Sequence, residues 1–322
     1  MYAWLGVALA LGAFAAANLA GSLLAFGAWQ VFRPVFARAR ARRRADWLFG
    51  LRVFPATLAL CVAAGLVAPA YLLYEPADAG ESPGGVLLAL ALAGAWLVAT
   101  GVGRVAGASR ATRRFLQERL PGARALALAD APGRPYGVRH GFPTVSLVGL
   151  ARPRVLLAEP VLAALDAGEL SVVLAHEAGH ASARDNLRAL VLRAAPCAEA
   201  LGRRLEHQWR EASEQAADDY AVAGRADRAL SLAAALVKVA RLAPEHASFD
   251  LASIAFHSGD GVAGRVRRLL DVARHDPAPH AASRPGVRRF WLLAPAAWAS
   301  LALPGILPRV HQAIELFVRH LP

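Results

Sequence analysis

Three apolar runs near the N-terminus constrain this chain more than any other feature. They are Leu5 to Phe32, Val53 to Leu73 and Gly85 to Gly103. Each is of a length that lets a helix cross a bilayer. Ala15-Ala16-Ala17 imitates a signal-peptidase site, but no positive residue precedes the first run, which favours a retained transmembrane helix over a cleaved signal. Between the first two runs lie seven arginines (Arg33, Arg38, Arg40, Arg42, Arg43, Arg44 and Arg52) and a single acid, Asp46. The next connection holds Glu75, Asp78 and Glu81 and no base, whereas Arg104, Arg110, Arg113 and Arg114 follow the third run. Positive residues stay inside. The expectation is an outside N-terminus, with the arginine-rich connection and everything after the third helix in the cytoplasm, as in a bacterial-type inner membrane.

A fourth apolar stretch, Phe290 to Leu307, is broken by Pro295 and Pro304 and flanked by Arg284, Arg288 and Arg289. It is expected to span, with a membrane-surface segment as the alternative. The expected organisation is three transmembrane helices in 1–103, a cytoplasmic domain in 104–289, and a fourth membrane helix with a short amphipathic tail in 290–322. The net charge of +12 raises the question of nucleic acid. Lys238 is the only lysine, however, and the arginines cluster beside the apolar runs, so they read as topology signals and no direct nucleic-acid binding is expected. Cys61 and Cys197 lack C-x-x-C spacing, which argues against a disulfide or a thiolate metal site.

Within 104–289, Arg124-Ala-Leu-Ala-Leu reads as a short strand, Ala131 to Gly137 as a Gly/Pro-rich loop, Phe142 to Leu150 as a strand, and Arg154 to Ala158 as another. Pro143 places the Phe142 strand at a sheet edge. Helices are expected at Ala198–Val222, Asp227 to about Leu242, and Val262–Ala273, with loop from Glu245 to Gly261. Ahead of them, Asp166 can N-cap a helix and Glu169 completes a capping box. That apolar-periodic run continues through Leu187, Leu190 and Val191 to its stop at Pro196.

On that helix stands His176-Glu177-Ala178-Gly179-His180. Residues four apart share a helix face. His176 and His180 can therefore offer two imidazoles to one cation, and Glu177 lies close enough to reach a water on it. This H-E-x-x-H pattern suits zinc-dependent peptide hydrolysis, although the pattern also arises by chance. Gly179 costs about 1 kcal/mol against alanine in a helix; close approach of a substrate or of a neighbouring helix would explain it.

A catalytic zinc site needs a third protein ligand. Glu214 and Asp218 share a face of the Ala198–Val222 helix. Glu214 is the candidate ligand, with Glu211 as fallback, and Asp218 is placed to accept the free N–H of a ligand histidine. A solvated face alongside Arg203, Arg204 and Arg210 is the competing reading.

These motifs resemble the BlaR/MecR-type membrane metallopeptidases and, more distantly, the Ste24/HtpX-type membrane proteases. The resemblance rests on H-E-x-x-H with Glu214-Gln-Ala-Ala-Asp218-Asp219-Tyr220 on the next helix. It also rests on Arg184-Asp185-Asn186, on Arg152 to Pro160, and on Arg265-Val-Arg-Arg-Leu-Leu-Asp271, so it extends over roughly Thr144 to Asp271. It implies a mainly α polytopic membrane protein with an α+β gluzincin-like domain. By position it makes His176, His180 and Glu214 ligands of one Zn2+, Glu177 the general base, and Asp218 a support for a ligand histidine. It also implies that an edge strand near Thr144 to Gly149 binds the substrate backbone. The receptors of that family carry a β-lactam sensor after the last membrane helix; this sequence shows no S-x-x-K acylation motif, so sensing is not carried over.

His140 and Tyr220 are weaker candidates, as donors to a tetrahedral intermediate. His207, His246, His257, His275 and His280 lack ligand spacing. The reading is a membrane zinc metalloendopeptidase whose partners are the lipid bilayer and a protein or peptide substrate, with a transcriptional repressor among the possible substrates. Site-specific regulatory proteolysis is preferred. HtpX-like quality control and a non-catalytic signalling scaffold with a structural metal site are the alternatives.

Overall fold

Helices in this protein run on after their hydropathy ends. The computed structural model describes residues 2–76, 83–126, 135–139, 145–150, 153–242, 259–274, 305–316 and 318. Helix α1 is Tyr2–Arg38 and α2 is Ala41–Val62. A π-helical turn, Ala63–Val67, joins α2 to α3, Ala68–Tyr74. Helix α4 is Gly85–Arg119. Among the described residues, three stretches are long and apolar enough to cross a membrane: Tyr2–Arg38, Ala41–Tyr74 and Gly85–Glu118. The helices extend beyond the apolar runs at both arginine-rich segments. The Arg33–Arg52 connection is helical except at Ala39–Arg40, and α4 continues sixteen residues past Gly103. Arginine is a good helix former, so leaving the apolar layer need not end a helix.

Close approach of α1 and α4 depends on Gly94. A Cβ there would lie 2.1 Å from the Leu11 carbonyl oxygen. The outer faces stay apolar: Leu19 is 61% exposed and Trp96 71%. Such a surface suits lipid rather than water.

A small mixed sheet follows, with β1 (Arg124–Ala125), β2 (Tyr136–Val138), β3 (Val145–Val148) and β4 (Arg154–Ala158) in the order β1-β2-β4-β3. β4 pairs parallel with β2 and antiparallel with β3. β3 is an edge strand, as Pro143 suggests. β2 was not expected: Tyr136 and Gly137 fall in the segment that composition marks as loop.

The remaining helices are α5 (Glu159–Ala164), α6 (Ala167–Ala183), α7 (Asp185–Ala194), α8 (Glu199–Val222), α9 (Ala226–Leu242) and α10 (Gly259–Arg274). The capping box on α6 is complete: Glu169 N donates to Asp166 Oδ1 at 2.8 Å, and Asp166 N to Glu169 Oε2 at 3.0 Å. The run to Pro196 is not one helix. It breaks at Arg184, which adopts a left-handed backbone with φ 54°. Residues 305–316 are helical. Most of Phe290–Leu307 lies outside the described residues, as do His140, His246, His257, His275 and His280.

The core of the domain packs α6 and α9 against β4 around Val155, Leu157, Val173, Leu232 and Leu236. A separate seam ties the domain to the apolar helices. Arg52 of α2 is buried and donates from Nη1 to Ala195 O at 2.9 Å and from Nη2 to Leu192 O at 3.1 Å. It thereby satisfies carbonyls at the α7 C-terminus, which lack intrahelical partners and favour a cation. Asn18 of α1 donates to Pro196 O at 3.0 Å, and Ser22 Oγ accepts from Ala198 N at 3.2 Å. The α7–α8 connection is thus held by polar side chains set into apolar helices.

Candidate metal centre

The α6 spacing places both histidines on the face that meets α8. Their Nε2 atoms lie 3.2 Å apart. Glu214 completes a triangle, with Oε2 3.5 Å from His176 Nε2 and Oε1 3.5 Å from His180 Nε2. A tetrahedral ion with ligand bonds of about 2.0–2.1 Å would space its donors by roughly 3.3 Å. His176, His180 and Glu214 are the one group among the described residues whose His, Cys, Asp or Glu atoms converge well enough to hold a metal ion. Glu211, the fallback ligand, instead sits on an exposed face 3.7 Å from His207.

What surrounds the triad explains its tautomers. His176 Nδ1 is 3.0 Å from Asp218 Oδ1, and His180 Nδ1 is 2.9 Å from Asp185 Oδ2. Each imidazole donating from Nδ1 leaves a lone pair on Nε2, turned inward. Three electron-pair donors then face one another in a buried space, an arrangement that calls for a cation or a proton. Burial opposes charge on both histidines. On His176 the hydrogen bonds to Asp218 and Glu214 outweigh it, so its pKa is raised. On His180 the charge of Glu214 and the Asp185 bond outweigh it, raising the pKa to about 9.

Two groups here escaped the sequence reading. Asp185 also accepts from Ser213 Oγ at 2.6 Å, and it stands 3.7 Å from Arg42 Nη1 of α2. Burial raises its pKa, but the His180 bond and Ser213 hold it below the usual carboxylate range. The left-handed turn at Arg184 is what folds Asp185 back onto His180. The second is Arg265 of α10. It donates to Asp218 from Nε at 2.9 Å and from Nη2 at 2.6 Å, and its Nη1 is 2.9 Å from Glu214 Oε2. Burial would raise Glu214 and Asp218, but the Arg265 guanidinium, first among the opposing effects, holds both below the ordinary carboxylate range. Both residues fall in stretches that carry the family resemblance, and that was their only sequence signal.

Glu177 is almost fully buried, and burial raises its pKa. Its Oε1 has no hydrogen-bond partner among the described residues. Glu177, His180 and Glu214 line a cleft of about 400 Å3. One wall is β3 with Gly149 and Leu150, and another is α4 from Ala108 to Phe115. Asn186 pins the strand by donating to Leu147 O at 2.8 Å and Gly149 O at 3.1 Å.

Gly179 faces the neighbouring helix. A Cβ there would meet Ala217 Cα at 3.1 Å and Tyr220 Cβ at 3.3 Å. Tyr220 itself is 42% exposed and lines a different cavity, away from Glu177. It lies two residues beyond Asp218, about 200° round the helix, so α8 cannot present both to one site.

Residues 145–247 match the family model of peptidase family M48. The matched segment holds H-E-x-x-H, Asp185, Glu214 and Asp218, and it stops before Arg265. No curated protein and no solved structure matches the chain. The match names neither of the two families that the motifs resemble, and it covers about a third of the chain. With the apolar helices and the His176–His180–Glu214 convergence, it supports a metal-dependent membrane protease.

Proposed function

We propose that this protein is an integral membrane zinc-dependent metalloendopeptidase. His176, His180 and Glu214 would hold one Zn2+, and Glu177 would act as general base. The observation that carries the reading is the convergence of three inward-facing donors beside an unpartnered, buried carboxylate oxygen at the head of a cleft. The His-His-Glu donor set suits zinc with one position left open. A bound zinc ion would supply Lewis-acid polarisation of the scissile carbonyl and a lowered water pKa.

The rest falls to the chain. Asp218 and Asp185 hold the histidines with Nε2 inward. Arg265 fixes Glu214 and Asp218 together. Glu177 accepts the proton of the attacking water at its free Oε1 and returns it to the leaving nitrogen, a role suited to a carboxylate whose pKa is raised by burial. The edge strand β3 can pair with an extended substrate backbone, as edge strands do, where Asn186 does not already hold the Leu147 and Gly149 carbonyls. Because α4 forms one wall of the cleft, the substrate segment would be cut beside the membrane.

The arginines at the α1–α2 corner support a cytoplasmic zinc domain by the positive-inside rule. Resemblance to the BlaR/MecR-type peptidases favours site-specific regulatory proteolysis. An HtpX-like quality-control role would instead yield many membrane-protein fragments. The test is a quenched peptide library incubated with purified protein. Cleavage that stops on chelation and returns with zinc supports the proposal. Zinc-loaded protein that cleaves neither peptides nor membrane proteins would turn the reading toward a scaffold.

A further inference from the structure

On the far side of α6 from the catalytic cleft lies a second cavity, of about 470 Å3. Its walls come from the α1–α2 corner, the back of α6, and helices α8 and α10. Four arginines, Arg40, Arg42, Arg44 and Arg268, line it against two carboxylates, Asp185 and Asp219, with Asp46 outside the lining also paired to Arg42. The two aspartates do not use up the arginines' capacity. Arg268 pairs with Asp219, yet its Nη1 is buried without a hydrogen-bond partner among the described residues. Arg42 reaches Asp46 at 2.9 Å, yet its Nε is likewise unpartnered. Arg44 donates to the neutral Gln215 at 2.6 Å. Buried donors left open cost free energy unless something accepts from them.

The position says what is at hand to accept. Arg33 lies over the Trp29 ring at 5.7 Å and Arg43 over the Trp47 ring at 6.0 Å. Tryptophan and arginine gather at the level of lipid headgroups. The chain turns from α1 into α2 at Ala39–Arg40, and the residues of that corner that line the cavity follow the apolar part of α1. Basic pockets between membrane helices at that depth suit phosphate-bearing headgroups. Guanidinium groups match phosphate oxygens with paired donors.

We infer that this cavity binds the phosphate of an anionic phospholipid headgroup. The occupant would clamp the α1–α2 corner to α8 and α10, which carry Glu214 and Arg265. It would also sit one ion pair from the metal site, since Arg42 is 3.7 Å from Asp185. The site needs neither zinc nor peptidase activity to be detected.

The experiment titrates phosphatidylglycerol into full-length protein held in phosphatidylcholine nanodiscs and reads thermal stability. Wild type should gain stability saturably. Arg40→Gln and Arg268→Gln should each need about fivefold more phosphatidylglycerol for the same gain, and the double variant about 25-fold more, while Arg203→Gln, at an exposed position on α8, should match wild type. Inorganic phosphate in phosphatidylcholine discs should give no gain. A phosphate response equal to the lipid response would overturn the lipid assignment. So would the absence of a phosphatidylglycerol response, or a double variant that responds like wild type. Should the double variant unfold, Arg40→Gln alone decides, because Arg40 is exposed and makes no side-chain cap. Native mass spectrometry should then show wild type retaining phosphatidylglycerol and Arg40→Gln losing most of it.

Discussion

Replacing Arg265 with methionine removes the one cation that spans both carboxylates behind the metal site. Three charge-assisted contacts disappear, at 2.6, 2.9 and 2.9 Å. Glu214 and Asp218 stay buried and lose the group that holds their pKa values low. Breaking a buried ion pair by deleting one partner costs about 3–5 kcal/mol. The metal-stripped protein should lose about that much. The zinc-loaded protein should lose less, because the metal supplies the missing positive charge beside Glu214. The pH dependence has a definite sign. Carboxylates whose folded pKa is depressed contribute stability above their unfolded values near 4, and that stability fades as pH falls through the folded values. Wild type and Arg265→Met should therefore differ most near neutrality and converge in acid. The assay is denaturant unfolding in detergent with and without zinc, at pH 7 and pH 4. An Arg265→Met protein within about 0.5 kcal/mol of wild type in both forms would refute the reasoning. A larger loss with zinc than without would refute it as well.

Gly179→Ala should gain about 1 kcal/mol of helix propensity and lose about 1–3 kcal/mol to the crowding at Ala217 and Tyr220, for a small net loss in unfolding measurements. Zinc uptake by the metal-stripped protein should release protons, because His180 titrates near 9 and His176 is also raised; apparent affinity measured with a competing chelator should rise from pH 6 towards pH 9 and then flatten. A reporter fused after residue 131 should be active on the cytoplasmic side; one active only in the periplasm would invert the topology.

The sequence carried the local parts of the site well. Four-residue spacing put His176 and His180 on one face, and Asp166 with Glu169 started the helix where it starts. Glu214 and Asp218 followed from the same periodicity on α8. What it could not carry was non-local. A continued helix would have turned Asp185 about 140° away from His180; the left-handed backbone at Arg184 brings it back. Arg265 lies 47 residues beyond Asp218 and meets it through packing alone. The polar seam left only a faint trace, as Asn18, Ser22 and Arg52 in or beside apolar runs. The helical continuations at Arg33–Arg52 and after Gly103 were not legible because hydropathy marks the apolar layer rather than the helix.

Glu177 separates catalysis from metal binding most directly, because it lines the cleft and is not one of the three converging ligand residues. Glu177→Gln nearly preserves volume and removes the basic oxygen. The measurement is zinc content and peptide hydrolysis for wild type and Glu177→Gln side by side. The account predicts equal zinc and a 10²–10⁴-fold fall in turnover, about the usual contribution of a general base. A Glu177→Gln protein that holds zinc and turns over like wild type would contradict it.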